Sequence, residues 1–203
     1  ARSDDDIAPE RASTVLEFME KSAEVEPDMA SYSTVVGALA RTIDPDNAVQ
    51  AEKFMKHVED GFRAGQANLE PDTILYNCVI GCISKSNTDG AYRRAQAVLD
   101  RQIRLHEDGC ESCRPDVYGF TSVISTCAKE TKEKQKAFQV ALAEFQSLRH
   151  HDEYGSPNHV TYGSMLKACA RLLQPGDSMR RKWTRKVFLM AVNDGCVGDM
   201  VLS

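Results

Sequence analysis

Residues 71–80 read PDTILYNCVI, and the order of residue types in that stretch decides the fold. Pro71 imposes an extended approach and stops any preceding helix from running on. Tyr76 is then followed by apolar residues at +3, +4 and +7, namely Val79, Ile80 and Ile83, which is the spacing of one helical face. The same order recurs as PDMASYSTVV from Pro27, PDVYGFTSVI from Pro115 and PNHVTYGSML from Pro157. Four copies of one helix entry make the chain a repeat.

The aromatics of the four phrases, Tyr32, Tyr76, Phe120 and Tyr162, stand 44, 44 and 42 residues apart. A fixed period of that size is the signature of stacked helical units. A second helix follows each phrase, with a small residue leading an apolar cluster: Ala51, Phe54, Met55 and Val58; Ala95, Val98 and Leu99; Ala141, Phe145 and Leu148. Ala12, Val15, Leu16 and Met19 repeat that spacing ahead of the first phrase and read as the second helix of a partial unit. Gly61, Gly109 and Gly195 are expected to close second helices in the left-handed conformation. Each unit is thus an antiparallel helix pair that buries its apolar face only against its neighbours. The expected fold is all-α: a right-handed superhelical solenoid of helix-turn-helix repeats, with the first helices lining its concave side. The expected boundaries within a single array, 1–203, are a partial repeat over 9–28, repeats over 29–72, 73–116, 117–158 and 159–199, and the opening of a further unit at 200–203.

The 203 residues are 42% hydrophobic, with 12 Gly and 7 Pro, which is enough apolar material for a packed core. No run of eighteen apolar residues occurs, so no membrane-spanning helix and no membrane partner are expected. The start at Ala1 and the stop after DMVLS read as the ends of a piece of a longer protein. The net charge of −5 weighs mildly against an indiscriminate polyanion binder. Of seven cysteines, Cys78, Cys82, Cys127 and Cys169 fall in the apolar helical phase, where a thiol acts as a small hydrophobe, and a reducing compartment is the simpler reading.

Pro-Asp or Pro-Asn, three residues, the aromatic, two polar or small residues and two apolar ones, followed by a second helix opening on Ala, resembles the pentatricopeptide repeat. The resemblance covers residues 9–203. It departs from the family in unit length: these units run 42–44 residues, longer than the usual unit, with the excess in the turns TIDPDNAVQ and SNTDGAYRR and the loops RAGQANLE and HEDGCESCR. The resemblance implies that each unit reads one base of single-stranded RNA, through the residue after the aromatic and the residue after the next Pro. Carried over by position, Ser33 pairs with Asp72, Asn77 with Asp116 and Thr121 with Asn158, implying a preference for G, U and A. The fourth unit has Gly163 with Asp199 and should be nearly blind. Ile74, Tyr118 and Val160, two residues before their aromatics, are the implied base clamps, Ala30 being too small.

Nine residues after each aromatic stand Arg41, Lys85, Lys129 and Arg171. Stacking would align these cations into a stripe for a phosphate backbone, although cations in a last helical turn also complement the helix dipole. Other signals are weaker. His106, Cys110 and Cys113 lack a fourth ligand for a closed metal site and read as reduced, solvent-facing thiols. RRKWTRK, Arg180 to Lys186, lies on a second helix and reads as an outward solvated face with a partly buried Trp183. His150, His151, Asp152 and Glu153 sit in a loop with no pocket implied.

The expected function is sequence-selective binding of single-stranded RNA in organelle RNA metabolism, in a mitochondrion or chloroplast by the resemblance. No cofactor, small-molecule substrate or catalytic constellation is expected. Two competing readings are a helical-repeat scaffold for a protein partner and the RNA-positioning arm of a larger RNA-processing enzyme.

Overall fold

The computed structural model describes residues 4–22 and 25–197. Among these, nine α-helices and no strand are found: α1 (Asp4–Lys21), α2 (Met29–Leu39), α3 (Pro45–Arg63), α4 (Thr73–Ser86), α5 (Ala91–Glu107), α6 (Val117–Cys127), α7 (Lys134–His150), α8 (His159–Leu172) and α9 (Ser178–Asn193). The four phrases open α2, α4, α6 and α8, each two residues after its Pro. No helix of the described residues is long and apolar enough to cross a membrane.

The chain divides into two compact units, Ala1–Ser86 with Gln102–Arg114, and Asn87–Arg101 with Pro115–Ser203. In the first, α2 packs on α1 and α3, and α4 then lies on both α2 and α3. The second unit repeats the plan, with α6 against α7, α8 on both, and α9 on α8. A helix pair gripping the next first helix is the packing unit in each case. The four aromatics are buried, and behind them Val35, Val36 and Leu39, Val79, Ile80 and Ile83, Val123, Ile124 and Cys127, and Met165 and Cys169 form the core. Each such side chain contributes about 1.5–3 kcal/mol when fully buried. Burial pushes the thiols of Cys82 and Cys127 up to about 12 and that of Cys169 to about 11, so they pack as inert hydrophobes.

The residue after each Pro caps the first helix. Asp28 accepts from the Ser31 N–H at 2.9 Å, Asp72 from Leu75 at 2.8 Å and Asp116 from Gly119 at 3.0 Å, while Asn158 accepts from both Val160 and Thr161. These bonds satisfy N–H groups that the helix itself leaves open.

The long units have a structural cause. Three of the loops after second helices carry a short 3₁₀ turn, at Ala67–Leu69, Glu111–Cys113 and Asp152–Tyr154, and the last residue of each turn is buried. Such loops also reach back to the Pro of the preceding phrase. Asn68 Nδ2 donates to the Pro27 carbonyl at 3.3 Å and Ser112 Oγ to that of Pro71 at 2.8 Å, while Cys196 Sγ lies 3.7 Å from that of Pro157. The extra residues thus tie one helix entry to the next.

This corrects the reading of Cys110 and Cys113. Cys113 occupies the buried place that Leu69 and Tyr154 hold in the other turns, and Cys110 is buried as well. The two are joined as a disulfide across the turn, not exposed thiols. Gly61 is corrected too. Helix α3 runs through it to Arg63, and the left-handed residue that follows is Gly65. A side chain at Gly61 would come within 2.5 Å of Gln66 and Leu69, so glycine there admits the loop against the helix. Gly109 and Gly195 do take positive φ just beyond α5 and α9.

Candidate nucleic-acid interface

The base-reading positions follow the buried aromatics directly, so the helix places them at the margin of the core. Ser33, Asn77 and Thr121 are all half-buried. Ser33 Oγ is enclosed with no hydrogen-bond partner among the described residues. Leaving such a hydroxyl unsatisfied costs about 1–3 kcal/mol, which a polar group offered to it would recover.

In the second unit the positional pair Thr121 and Asn158 is linked through a third residue. Thr121 Oγ1 lies 2.7 Å from Thr161 Oγ1, and Thr161 forms a reciprocal capping box with Asn158. Thr161 Oγ1 lies 3.3 Å from Asn158 Oδ1, and the Asn158 N–H donates to Thr161 Oγ1 at the same distance. Packing of α6 against α8 brings the three together. Thr161 escaped the sequence reading. Its signal was present, since Asn158 and Thr161 have capping-box spacing.

In the first unit α2 packs on α4, whose entry Asp72 caps, so Ser33 and Asp72 belong to neighbouring first helices. Asn77 lies in the first unit and Asp116 in the second. Gly163 is buried, and Asp199 lies outside the described residues.

The clamp positions face solvent. Ile74 is 62% exposed and Tyr118 59%, although each lies two residues before a fully buried aromatic; Val160 is half-buried. An exposed Ile and an exposed Tyr at one helical phase, without a core to enter, offer apolar surfaces on which a planar ligand can stack.

The four repeating cations, Arg41, Lys85, Lys129 and Arg171, are all exposed. Arg41 and Arg171 form no ion pair among the described residues. Lys85 donates to the carbonyl of Ala40, the C-cap of α2, so it ties α4 to the negative end of α2. Helix-dipole complementation therefore accounts for part of the pattern.

The RRKWTRK segment faces solvent with Trp183 half-buried. Lys182 and Lys186 are exposed, with Lys186 over the Trp183 ring at 4.8 Å, as a solvated face would have them. Arg180, Arg181 and Arg185 also line a groove between α8 and α9 together with Lys167 and Gly163. Trp183 packs edge-on against Phe138. His106 is bound to its own loop, with Nδ1 3.3 Å from the Cys110 carbonyl, and no group of three metal-ligating side chains occurs among the described residues.

No protein-family model matches the chain, and no curated protein and no solved structure does either. The functional reading therefore rests on the residues themselves.

Proposed function

We propose that this chain binds single-stranded RNA along its first helices, as a pentatricopeptide-type array whose units stack into a right-handed superhelix. The observation that carries the reading is the exposure of Ile74 and Tyr118 at the clamp phase, two residues before the fully buried Tyr76 and Phe120. Ser33, Asn77 and Thr121 at the next phase are short polar side chains at the margin of the core, and Ser33 Oγ and Asn77 Oδ1 must be uncovered before they meet a base edge. The exposed cations Arg41, Lys85, Lys129 and Arg171 supply backbone contacts. Asp72, Asp116 and Asn158 cap the first helices, and under this reading the same loop residues also meet the base. Gly163 contributes no reading group. An organelle, mitochondrion or chloroplast, is the proposed location, and no catalytic step is assigned to this segment.

The test is fluorescence anisotropy with a labelled single strand containing G-U-A, a scrambled strand and a matched duplex, each at two salt concentrations. The reading requires salt-sensitive binding that prefers the single strand and the G-U-A order. Equal binding of duplex and single strand, or none at all, sinks it.

A protein-scaffold reading is favoured by a separate observation. Thr121 is engaged by Thr161, so its hydroxyl must be shared before it can read a base. Under that reading the Tyr118 surface takes a protein side chain, and RNA leaves it unaffected.

A further inference from the structure

The loop Gly109-Cys110-Glu111-Ser112-Cys113 stands where Gly65-Gln66-Ala67-Asn68-Leu69 stands one sequence period earlier. The two fold alike: the glycine takes positive φ, the next residue leads into a 3₁₀ turn, and the last residue of the turn is buried. The fourth residue has the same task in both, Asn68 Nδ2 donating to the Pro27 carbonyl and Ser112 Oγ to that of Pro71. The cysteines set the second loop apart. Gln66 is exposed, whereas Cys110 in its place is 5% exposed and bridged to Cys113. Leu69 fills the buried place without sulfur, so packing does not require the bridge. A bridge spanning a sequence separation of 3 also removes less freedom from the unfolded chain than a longer one, so global stability is not its main effect.

Its effect is local, on the entry of α4. Cys113 Sγ lies 3.2 Å and Cys110 Sγ 3.8 Å from the Pro71 carbonyl, which also accepts from Ser112 Oγ at 2.8 Å. Beyond Asp72, Thr73 Oγ1 lies 2.6 Å from the Arg114 carbonyl and 3.1 Å from that of Ser112. Asp72, the cap of α4, is thus held between two residues bound to the bridged turn, and exposed Ile74 follows. All of these belong to the first compact unit.

The oxidation state decides which groups can donate. A bridged sulfur carries no proton, so of the three groups at the Pro71 carbonyl only Ser112 donates to it. Reduction gives both sulfurs an S–H beside a carbonyl with two lone pairs. Ser112 then has competitors, and its proton turns to Glu70 Oε1, already 2.7 Å away. The other five cysteines are free thiols, so this pair is the one oxidised couple among the described residues. Glu111, Ser112 and Arg114 are exposed, and the turn can open locally without disturbing the helices.

We propose that Cys110 and Cys113 form a reversible redox site, with a dithiol as its reaction partner, that sets the order of the α4 entry. A thiolate of the dithiol attacks Cys110 Sγ, in the less buried of the two residues, and the S–S bond breaks with its electron pair going to Cys113, which takes up a proton. The second thiol of the partner attacks the partner's own sulfur in the mixed disulfide, and Cys110 leaves and is protonated in turn. Two electrons and two protons pass from the dithiol, which ends as a disulfide; a disulfide of the same class restores the bridge by the reverse steps. The bridged form holds Asp72 and Ile74 in place and the dithiol form loosens them. The consequence for RNA rests on the proposed function, whereas the redox site itself does not.

The experiment compares the intact chain in air and in dithiothreitol, with thiols counted by alkylation after a denaturing quench and amide hydrogen exchange measured on the same samples. Labelling should rise from five cysteines in air to seven in dithiothreitol, the gain falling on Cys110 and Cys113. Exchange over residues 73–77, which include the Leu75 N–H capped by Asp72, should be about tenfold faster in the reduced chain. Residues 29–33, behind the loop without cysteine, should exchange equally in both states. Cys110→Gln/Cys113→Leu, which gives the turn the Gln66 and Leu69 of its counterpart, should show one exchange rate with or without dithiothreitol, as should Cys110→Ser. Seven labels in air overturn the inference, as does a bridge that dithiothreitol opens only in denaturant. Equal exchange over 73–77 in the two states, or a response to dithiothreitol in either variant, overturns it too. Single-strand affinity should fall about fivefold on reduction, as a less preorganised face would require; equal affinity in the two states overturns the control of binding. Absence of RNA binding in both states counts against the proposed function alone, since labelling and exchange still decide the redox site.

Discussion

Glu144 should make the protein less stable as pH rises through neutrality, and replacing it with glutamine should remove that dependence. Glu144 stands three residues after Ala141 on α7, the phase where Phe54 and Val98 follow their alanines. It is only 6% exposed. Burial, and then the nearby charge of Asp100, push its carboxyl from 4.5 to about 7, against the hydrogen bond from Gln96 Nε2 at 3.2 Å, which favours the ionised form. The folded state therefore holds the proton more tightly than the unfolded one. Below pH 4.5 both states are protonated and the group is neutral in the balance; between 4.5 and 7 stability falls with rising pH, and above 7 the full cost applies. A shift of that size corresponds to about 3 kcal/mol. Glu144→Gln keeps an acceptor for Gln96 and carries no charge. With an m value of about 2 kcal/mol/M, the urea midpoint of the variant should lie roughly 1.5 M above wild type at pH 8.5 and coincide with it at pH 4. A gap of equal size at both pH values, or none at pH 8.5, refutes the reasoning, because only ionisation of a buried carboxyl links the gain to pH.

Asp116→Ala removes an N-cap and should cost about 1 kcal/mol in urea melts, whereas Asp116→Asn should keep most of that stability while altering base preference in the anisotropy assay. Identical RNA profiles for Asp116→Asn and wild type would reduce the residue to a cap. Tyr118→Ala, at an exposed site, should leave the melting temperature unchanged and weaken single-strand binding by about 1–3 kcal/mol; a lowered melting temperature would show that its ring packs. Gly61→Ala should destabilise by about 1 kcal/mol or more despite the higher helix propensity of alanine, since its side chain meets Gln66 and Leu69. A more stable variant in thermal melts would contradict that packing.

Helix identity was legible in the chain because it depends on local order. Pro, capping residue, aromatic and apolar residues at +3, +4 and +7 occur within one short stretch, and a helix of that face has one way to bury it. The repeat period placed all four first helices, and the paired second helices followed from their own apolar phase. Helix ends were less legible: Gly61 has the composition of a C-cap, yet α3 passes through it because the loop folds back onto the helix and Gly65 takes the left-handed turn.

What tertiary structure alone decided are the contacts made by residues far apart in sequence. The 3₁₀ turns that bury Leu69, Cys113 and Tyr154 reverse the expected exposure of Cys113, since no local pattern marks a loop residue as core. The junction of Thr121 with Thr161 and Asn158 arises from two helices laid side by side, 40 residues apart between the threonines. The arginines of α9 read as a solvated face in sequence and also line a groove in space, because the neighbouring helix α8 contributes Lys167 and Leu166 to the same cleft. Backbone hydrogen bonding and side-chain periodicity act over a few residues and are written in the sequence, whereas burial of loops and convergence of charges depend on which helices become neighbours.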